Sequence, residues 1–193
     1  FFIYMIVVTS LKDHADVCES LKASHLISVI DPGYEPNTPK SIKKHLKLCF
    51  DDIVEIKKEN FIFRNSKSIN LNNQILPDIN HINKIANFVS TWDQTHPLVI
   101  HCWCGVSRSM ATALFVICKI FPNNIESNVS YMRMIASHAN PNKLMISLFE
   151  KYLGVEGKIN DALKKYPYTV TYDCETTFAP VCIFKINELK KFK

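Results

Sequence analysis

Leu98-Val99-Ile100 is a short apolar run with no polar interruption, and Met110–Phe121 is apolar on most sides. Between them lies a loop that contains Gly105. A strand that is apolar at every position is buried on both faces, as in parallel sheets. A helix that is apolar all round is buried too. The pair predicts a strand–loop–helix unit at the centre of an open α/β fold, with the loop at the carboxyl end of a buried strand. Ile3–Val8 and His25–Ile30 repeat the strand pattern, the second stopping at Asp31-Pro32-Gly33. His45–Phe50 alternates like a strand and stops at Asp51-Asp52. Thr9 or Ser10 is placed to cap a helix reaching about Ala23. Asp78 is placed to cap another with an apolar face of Ile82, Ile85, Ala86 and Val89.

Further helices are expected at about 125–137, 142–152 and 157–165, and a strand at Val181–Ile186. Residues 57–76 are rich in Asn, Lys and Ser. They read as a long loop or insertion, with a short strand at Phe61–Phe63. The expected fold is α/β, a central mostly parallel sheet flanked by helices. Residues 1–165 form that domain, and 166–193 form a C-terminal extension able to pack on it.

The length of 193 residues suits one such domain, and a 47% hydrophobic fraction supplies its core. The net charge of +5 favours anionic substrates but is too small to argue for nucleic-acid binding. The seven cysteines are scattered, with no paired CxxC units and no HxxxH, so no zinc or other metal site is expected. They read as reduced thiols of a cytoplasmic protein, Cys49 and Cys118 in the core. Phe1–Val8 is too short to span a bilayer, which takes about 20 residues. It also lacks a basic flank and a small-residue cleavage site, so no signal peptide and no membrane span are expected.

The loop reads His101-Cys102-Trp103-Cys104-Gly105-Val106-Ser107-Arg108-Ser109. A loop wrapped at a helix N-terminus turns its amides toward one point, and the helix dipole adds positive potential there. Such a cradle of residues 103–108 suits a phosphate. Gly105 allows the chain to turn back without a Cβ clash. Arg108 can grip two phosphate oxygens with its fork. The same field favours a thiolate at Cys102, a nucleophile toward phosphorus. His101 reads as structural support beneath the loop. Ser109 can stabilise the thiolate as it leaves.

His101-Cys102-x-x-Gly105-x-x-Arg108-Ser109 resembles the signature of the cysteine-dependent protein tyrosine phosphatases. The Gly-Val-Ser-Arg-Ser ending and the short chain most resemble the compact dual-specificity-like branch, bacterial cytoplasmic members included. The resemblance implies phosphoryl transfer to Cys102 followed by hydrolysis, with no metal and no organic cofactor. It also implies a general acid, an Asp on the loop after an earlier strand. Asp52 fits, since Asp51-Asp52-Ile53 resembles the Asn-Asp-x stretch of dual-specificity members. Asp51 and Asp78 are its rivals, Asp78 being also a natural N-cap.

The resemblance makes a phosphorylated protein the expected partner, through phosphotyrosine and also phosphoserine or phosphothreonine. Trp103, Cys104, Val106 and Ser107 carry no charge. That weighs against inositol phospholipids, whose phosphatases carry lysines in this loop. A non-catalytic phosphate-binding module, a non-protein phosphoester hydrolase and a rhodanese-like or arsenate-reducing enzyme are the competing classes. Cys104 reads as a packed or loop-exposed thiol, with a redox role toward Cys102 as the alternative. Trp103 either lines the pocket mouth or covers the loop. Arg133, Asn140 and Asn142 lie in the later helices, and Arg133 reads as a solvated surface arginine. His14, His25, His45, His81, His96 and His138 show no constellation.

Overall fold

The structure is a computed structural model that describes residues 4–56, 61–64, 67–70 and 73–192. A five-stranded sheet forms its centre. The strands are β1 (Met5–Thr9), β2 (His25–Ile30), β3 (Lys44–Cys49), β6 (Leu98–His101) and β7 (Cys182–Lys185), in the order β3-β2-β6-β1-β7. The first four are mutually parallel, and β7 pairs antiparallel with β1. Alternate side chains serve the two faces. Val7, Leu26 and Val99 pack with Cys18 and Ala23 under α1 (His14–Leu21). Ile6, Val8, Ile27, Val29 and Ile100 pack on the other face against the main helical layer. Both faces are covered, which is why β1, β2 and β6 lack the polar alternation of a solvated sheet.

The main layer contains α2 (Ile79–Val89), α3 (Arg108–Ile120), α4 (Ile125–Ile135), α5 (Lys143–Leu153) and α6 (Lys158–Lys165). Helix α3 is buried from Arg108 to Cys118 and packs against β1, β2 and β6 as well as α4 and α5. Phe115 stacks on Phe149 of α5, with ring centroids 4.4 Å apart. Asp78 caps α2 by accepting from the amides of Asn80 and His81, and His81 completes a capping box. A short α7 (Ile186–Leu189) follows β7. Among the described residues no helix is long and apolar enough to cross a membrane.

Two elements differ from expectation. The first helix starts at His14 and not at Thr9 or Ser10, because Thr9 is still in β1 and residues 10–13 turn onto the neighbouring loop. There Leu11 N donates to Trp103 O at 3.1 Å, and Ser10 Oγ accepts from Asp13 N at 3.3 Å. Within the expected loop 57–76, β4 (Phe61–Arg64) pairs antiparallel with β5 (Lys67–Asn70) as a separate two-stranded sheet. The strand expected at Phe61–Phe63 lies within β4. Residues 57–60, 65–66 and 71–72 of that stretch, and Ile3 of the expected first strand, lie outside the described residues. The strand expected at Val181–Ile186 is β7, and it extends the central sheet beyond β1.

Candidate active site

Residues 102–107 link β6 to α3 at the carboxyl end of the parallel strands. Gly105 has φ 82°, and a Cβ there would lie 3.2 Å from the Thr9 carbonyl carbon. Both the left-handed turn and the close approach to β1 therefore require glycine. Three carbonyls of the loop bond outward to three different segments. Trp103 O accepts from Leu11 N, Cys104 O from Ala179 N at 3.1 Å and Val106 O from Asn140 N at 3.0 Å. In a trans peptide the N–H points opposite to the C=O, so the amides of these units face the loop interior. One of them, Gly105 N, donates to Cys102 Sγ at 3.3 Å. Ser109 Oγ lies 3.1 Å from the same sulfur. Both contacts stabilise the sulfur most when it is negative.

Arg108 is 1% exposed and is the first residue of α3. Nη1 donates to Phe50 O at 2.6 Å and Nη2 donates to Asp31 Oδ2 at 2.9 Å. Its Nε is buried, makes no hydrogen bond among the described residues and lies 3.8 Å from Asp52 Oδ2. Burial opposes the guanidinium charge, but Asp52, Asp31 and Cys102 together raise its pKa above the ordinary value.

The three candidate acids fall in different places. Asp52 reaches the loop: its Oδ1 accepts from Ser107 Oγ and from Asn142 Nδ2, each at 2.8 Å. Asp51 is tied to Ile75 through both its amide and its carboxylate, at 2.8 and 2.7 Å. That pair closes the base of the 52–74 excursion, so the inserted residues do not separate Asp52 from the loop. Asp78 is committed to the α2 cap. A cleft of about 520 Å³ opens beside Asp52, bordered by Ile53, Val54, Ser107, Pro141, Asn142 and Lys143.

No sequence-family model and no curated protein sequence matches the chain. Solved structures do match. The human tyrosine phosphatase-like serine/threonine/tyrosine-interacting protein superposes with a TM-score of 0.57 at 13% identity, over 78% of this chain and 91% of that one. DUSP15 gives 0.55 at 14% identity, over 88% and 97%. PTPMT1, solved in complex with PI(5)P, gives 0.55 at 10% identity, over 85% and 99%. The chain has the fold of the cysteine-dependent protein tyrosine phosphatases, in its dual-specificity-like form.

Within that phosphatase fold, His101 sits fully buried under the loop. Its Nδ1 lies 3.1 Å from Cys102 O, which can only accept, so Nδ1 carries the proton. Nε2 must then accept, from Ser28 Oγ at 2.6 Å. Ser28 Oγ in turn accepts from His45 Nε2 at 2.7 Å, and His45 Nδ1 accepts from Thr38 Oγ1 at 2.8 Å. His14 stacks on His101 with centroids 4.5 Å apart. So His14 and His45 do join a constellation, one assembled by the parallel register of β2, β3 and β6. Burial, aided by His14, pushes His101 down to about 3, and burial with Lys47 pushes His45 down to about 4.

Both rings are neutral in the fold, whereas in the unfolded chain they protonate near the ordinary value of 6.5. Below that value the unfolded state binds more protons, so stability is lost as pH falls from 6.5 toward 4. His25, His81 and His138 are shifted the same way, each chiefly by burial. The melting temperature is expected to fall across pH 6.5 to 4.5, and less steeply in His45→Asn. An unchanged slope in that variant would remove His45 from the account.

Several side chains depart from their sequence reading. Cys104 is not a solitary thiol but is disulfide-bonded to Cys174. Cys49 is half-buried rather than core and donates to Glu35 Oε1 at 2.8 Å, while Cys118 is fully buried. Trp103 packs edge-on against Tyr34, with centroids 5.1 Å apart, and donates from Nε1 to Cys174 O. Arg133 is not a solvated arginine. It donates from Nε to Tyr166 O and from Nη1 to the carbonyls of Ala136, Ser137 and Ala139. Burial lowers its pKa. It thus holds the 136–139 turn that leads to Asn140, whose amide meets the loop.

Asn142 is 5% exposed and caps α5 by accepting from Met145 N, while its Nδ2 reaches Asp52. Asp31, Ser28 and Asn142 are the contributors that sequence reading missed. In sequence Asp31 reads as an ordinary strand end, Ser28 as a strand residue and Asn142 as part of a later helix. Only the Asp31-Pro32-Gly33 stop marked Asp31 as sitting at a carboxyl strand end.

Proposed function

We propose that this chain is a cysteine-dependent phosphatase that hydrolyses phosphotyrosine in protein substrates, and also phosphoserine or phosphothreonine. The observation that carries the reading is the pairing, in one loop, of Cys102 Sγ, held by Gly105 N and Ser109 Oγ, with a buried Arg108 whose charge Cys102 favours and whose Nε makes no hydrogen bond among the described residues. A buried N–H without a partner costs free energy unless a ligand satisfies it. A phosphoryl oxygen seated on Arg108 Nε beside Cys102 would satisfy it.

In this mechanism the loop amides of residues 103–108 and Arg108 bind the phosphoryl group and stabilise the charge on its equatorial oxygens. The Cys102 thiolate attacks phosphorus and forms the S–P bond as the bond to the leaving oxygen breaks. Asp52 gives its proton to that oxygen. Asp52 then takes a proton from water as the water attacks the phosphocysteine. Inorganic phosphate leaves, and Ser109 Oγ hydrogen-bonds the departing thiolate. Asn142 and Ser107 orient Asp52, and His101 holds the loop. No metal or organic cofactor enters this scheme.

The uncharged loop interior supports a phosphoprotein substrate, and the +5 net charge supports an anionic one. The likeness to PTPMT1 in complex with PI(5)P supports a second reading, a phosphoinositide headgroup. Hydrolysis of p-nitrophenyl phosphate, a phosphotyrosyl peptide, a phosphoseryl peptide and PI(5)P by one preparation separates them. Turnover of the phosphotyrosyl peptide above PI(5)P is expected, and the reverse order would replace the proposed substrate. A general acid must be protonated, so activity should fall as pH rises through its titration. Asp52→Asn is expected to lower kcat by about 10²-fold and to flatten that alkaline limb. Retention of the limb in Asp52→Asn, with its loss in Asp51→Asn, would move the role to Asp51.

A further inference from the structure

The segment between α6 and β7 lies along the outside of the phosphate-binding loop and meets it or its supports at several points. Thr169 N donates to Ser137 O in the turn held by Arg133. Tyr172 packs edge-on against His138, with centroids 5.2 Å apart, in the same turn. Trp103 Nε1 donates to Cys174 O at 3.2 Å, and Ala179 N donates to Cys104 O. The Cys104–Cys174 disulfide joins the two, with Cα atoms 5.3 Å apart across a sequence separation of 70. Two of these hydrogen bonds and the disulfide fall on Trp103 and Cys104, the residues just after Cys102.

Cys174 is presented rather than sequestered. It sits at φ 62° in a turn organised by Asp173, whose Oδ1 accepts from the amides of Glu175, Thr176 and Thr177. It is half-buried with Glu175 to Thr177 exposed, whereas Cys104 is 5% exposed. A reagent in solution therefore meets the Cys174 sulfur first. Cys102 remains a thiol, held by Gly105 and Ser109.

We propose that Cys104–Cys174 is a redox site whose co-reactant is a dithiol, and that its state sets how firmly the C-terminal segment holds the loop carrying Cys102. A dithiol opens it: its thiolate attacks Cys174 Sγ, Cys104 leaves as a thiol, and the reagent's second thiol displaces Cys174 and closes to a cyclic disulfide. Two electrons and two protons pass to the protein. A small disulfide such as glutathione disulfide restores the bond in two exchanges and releases two thiols. In the closed state the loop amides are preorganised. In the open state Trp103 and Cys104 keep only single hydrogen bonds to the segment, and the cradle loosens. The activity readout of this proposal rests on the phosphatase reading, but its chemical readouts do not.

The test compares wild type with Cys174→Ser after treatment with dithiothreitol or with glutathione disulfide. Thiols are blocked with iodoacetamide, and linked peptides and the alkylation rate at Cys102 are read by fragmentation mass spectrometry. In wild type, glutathione disulfide should give a linked 104–174 peptide. Dithiothreitol should remove it, speed alkylation of Cys102 by about threefold or more and raise KM for p-nitrophenyl phosphate by a similar factor. Cys174→Ser should sit at the open-state values and respond to neither reagent. Absence of the linked peptide after glutathione disulfide, or an equal response in Cys174→Ser, overturns the redox site. A linked peptide and responsive alkylation in a protein with no turnover leave the redox site standing and sink the phosphatase reading alone.

Discussion

Cys102→Ser is expected to abolish hydrolysis of p-nitrophenyl phosphate, a loss of about 10⁴-fold or more, while the protein stays folded. Serine is close to isosteric here. Its hydroxyl can keep the contacts that Sγ makes with Gly105 N at 3.3 Å and Ser109 Oγ at 3.1 Å. A hydroxyl in that position stays protonated, because neither an imidazole nor a carboxylate contacts it. His101, the nearest imidazole in sequence, spends its Nδ1 proton on Cys102 O and its Nε2 on Ser28. The cradle should survive, so phosphate should still raise the variant's melting temperature as it does that of wild type. Rapid acid quench should trap a phosphoryl group on wild type and none on the variant. A Cys102→Ser protein that turns over at the wild-type rate would end the cysteine mechanism.

Arg108→Lys should lower kcat/KM by about 10³-fold and remove the stabilisation by phosphate. The guanidinium serves three directions at once: Phe50 O, Asp31 Oδ2 and, through Nε, Asp52 Oδ2 at 3.8 Å. An ammonium has one nitrogen at the end of a flexible stem and cannot span that fork. Asp31 is 6% exposed and would lose its guanidinium partner, so a fall of several degrees in melting temperature should accompany the loss. A phosphate-induced rise in melting temperature equal to wild type's would separate stability from binding and remove Arg108 from the cradle.

The C-terminal part of the fold illustrates what a linear reading can miss. Cys104 and Cys174 are 70 residues apart and share no motif. Their pairing depends on β7 returning antiparallel to β1, which carries the preceding segment past the loop. Arg133 and Asn142 look in sequence like a solvated arginine and an ordinary residue of a later helix. Their second roles arise because the α4–α5 connection lies against the loop at Asn140 and against Asp52 at Asn142. His14 and His45 had no sequence signal, since they meet His101 only across α1, β3 and β6.

The strand–loop–helix unit was different. The apolar run of Leu98–Ile100, the glycine at 105 and the apolar helix from Met110 determine the unit almost by themselves, because each is a local requirement. The strand and helix are buried on all sides, and the turn needs a residue without Cβ. The offset between Cys102 and Arg108 follows from the same nine residues. What only the tertiary structure decided is everything that faces this loop from elsewhere. Asp52 meets Ser107 because Asp51 closes the inserted segment at Ile75, Asp31 meets Arg108 because β2 lies beside β6, and Cys174 meets Cys104 because β7 joins the sheet. Local sequence encodes backbone conformation and burial, whereas the partners of a buried charge or thiol are chosen by strand order and register.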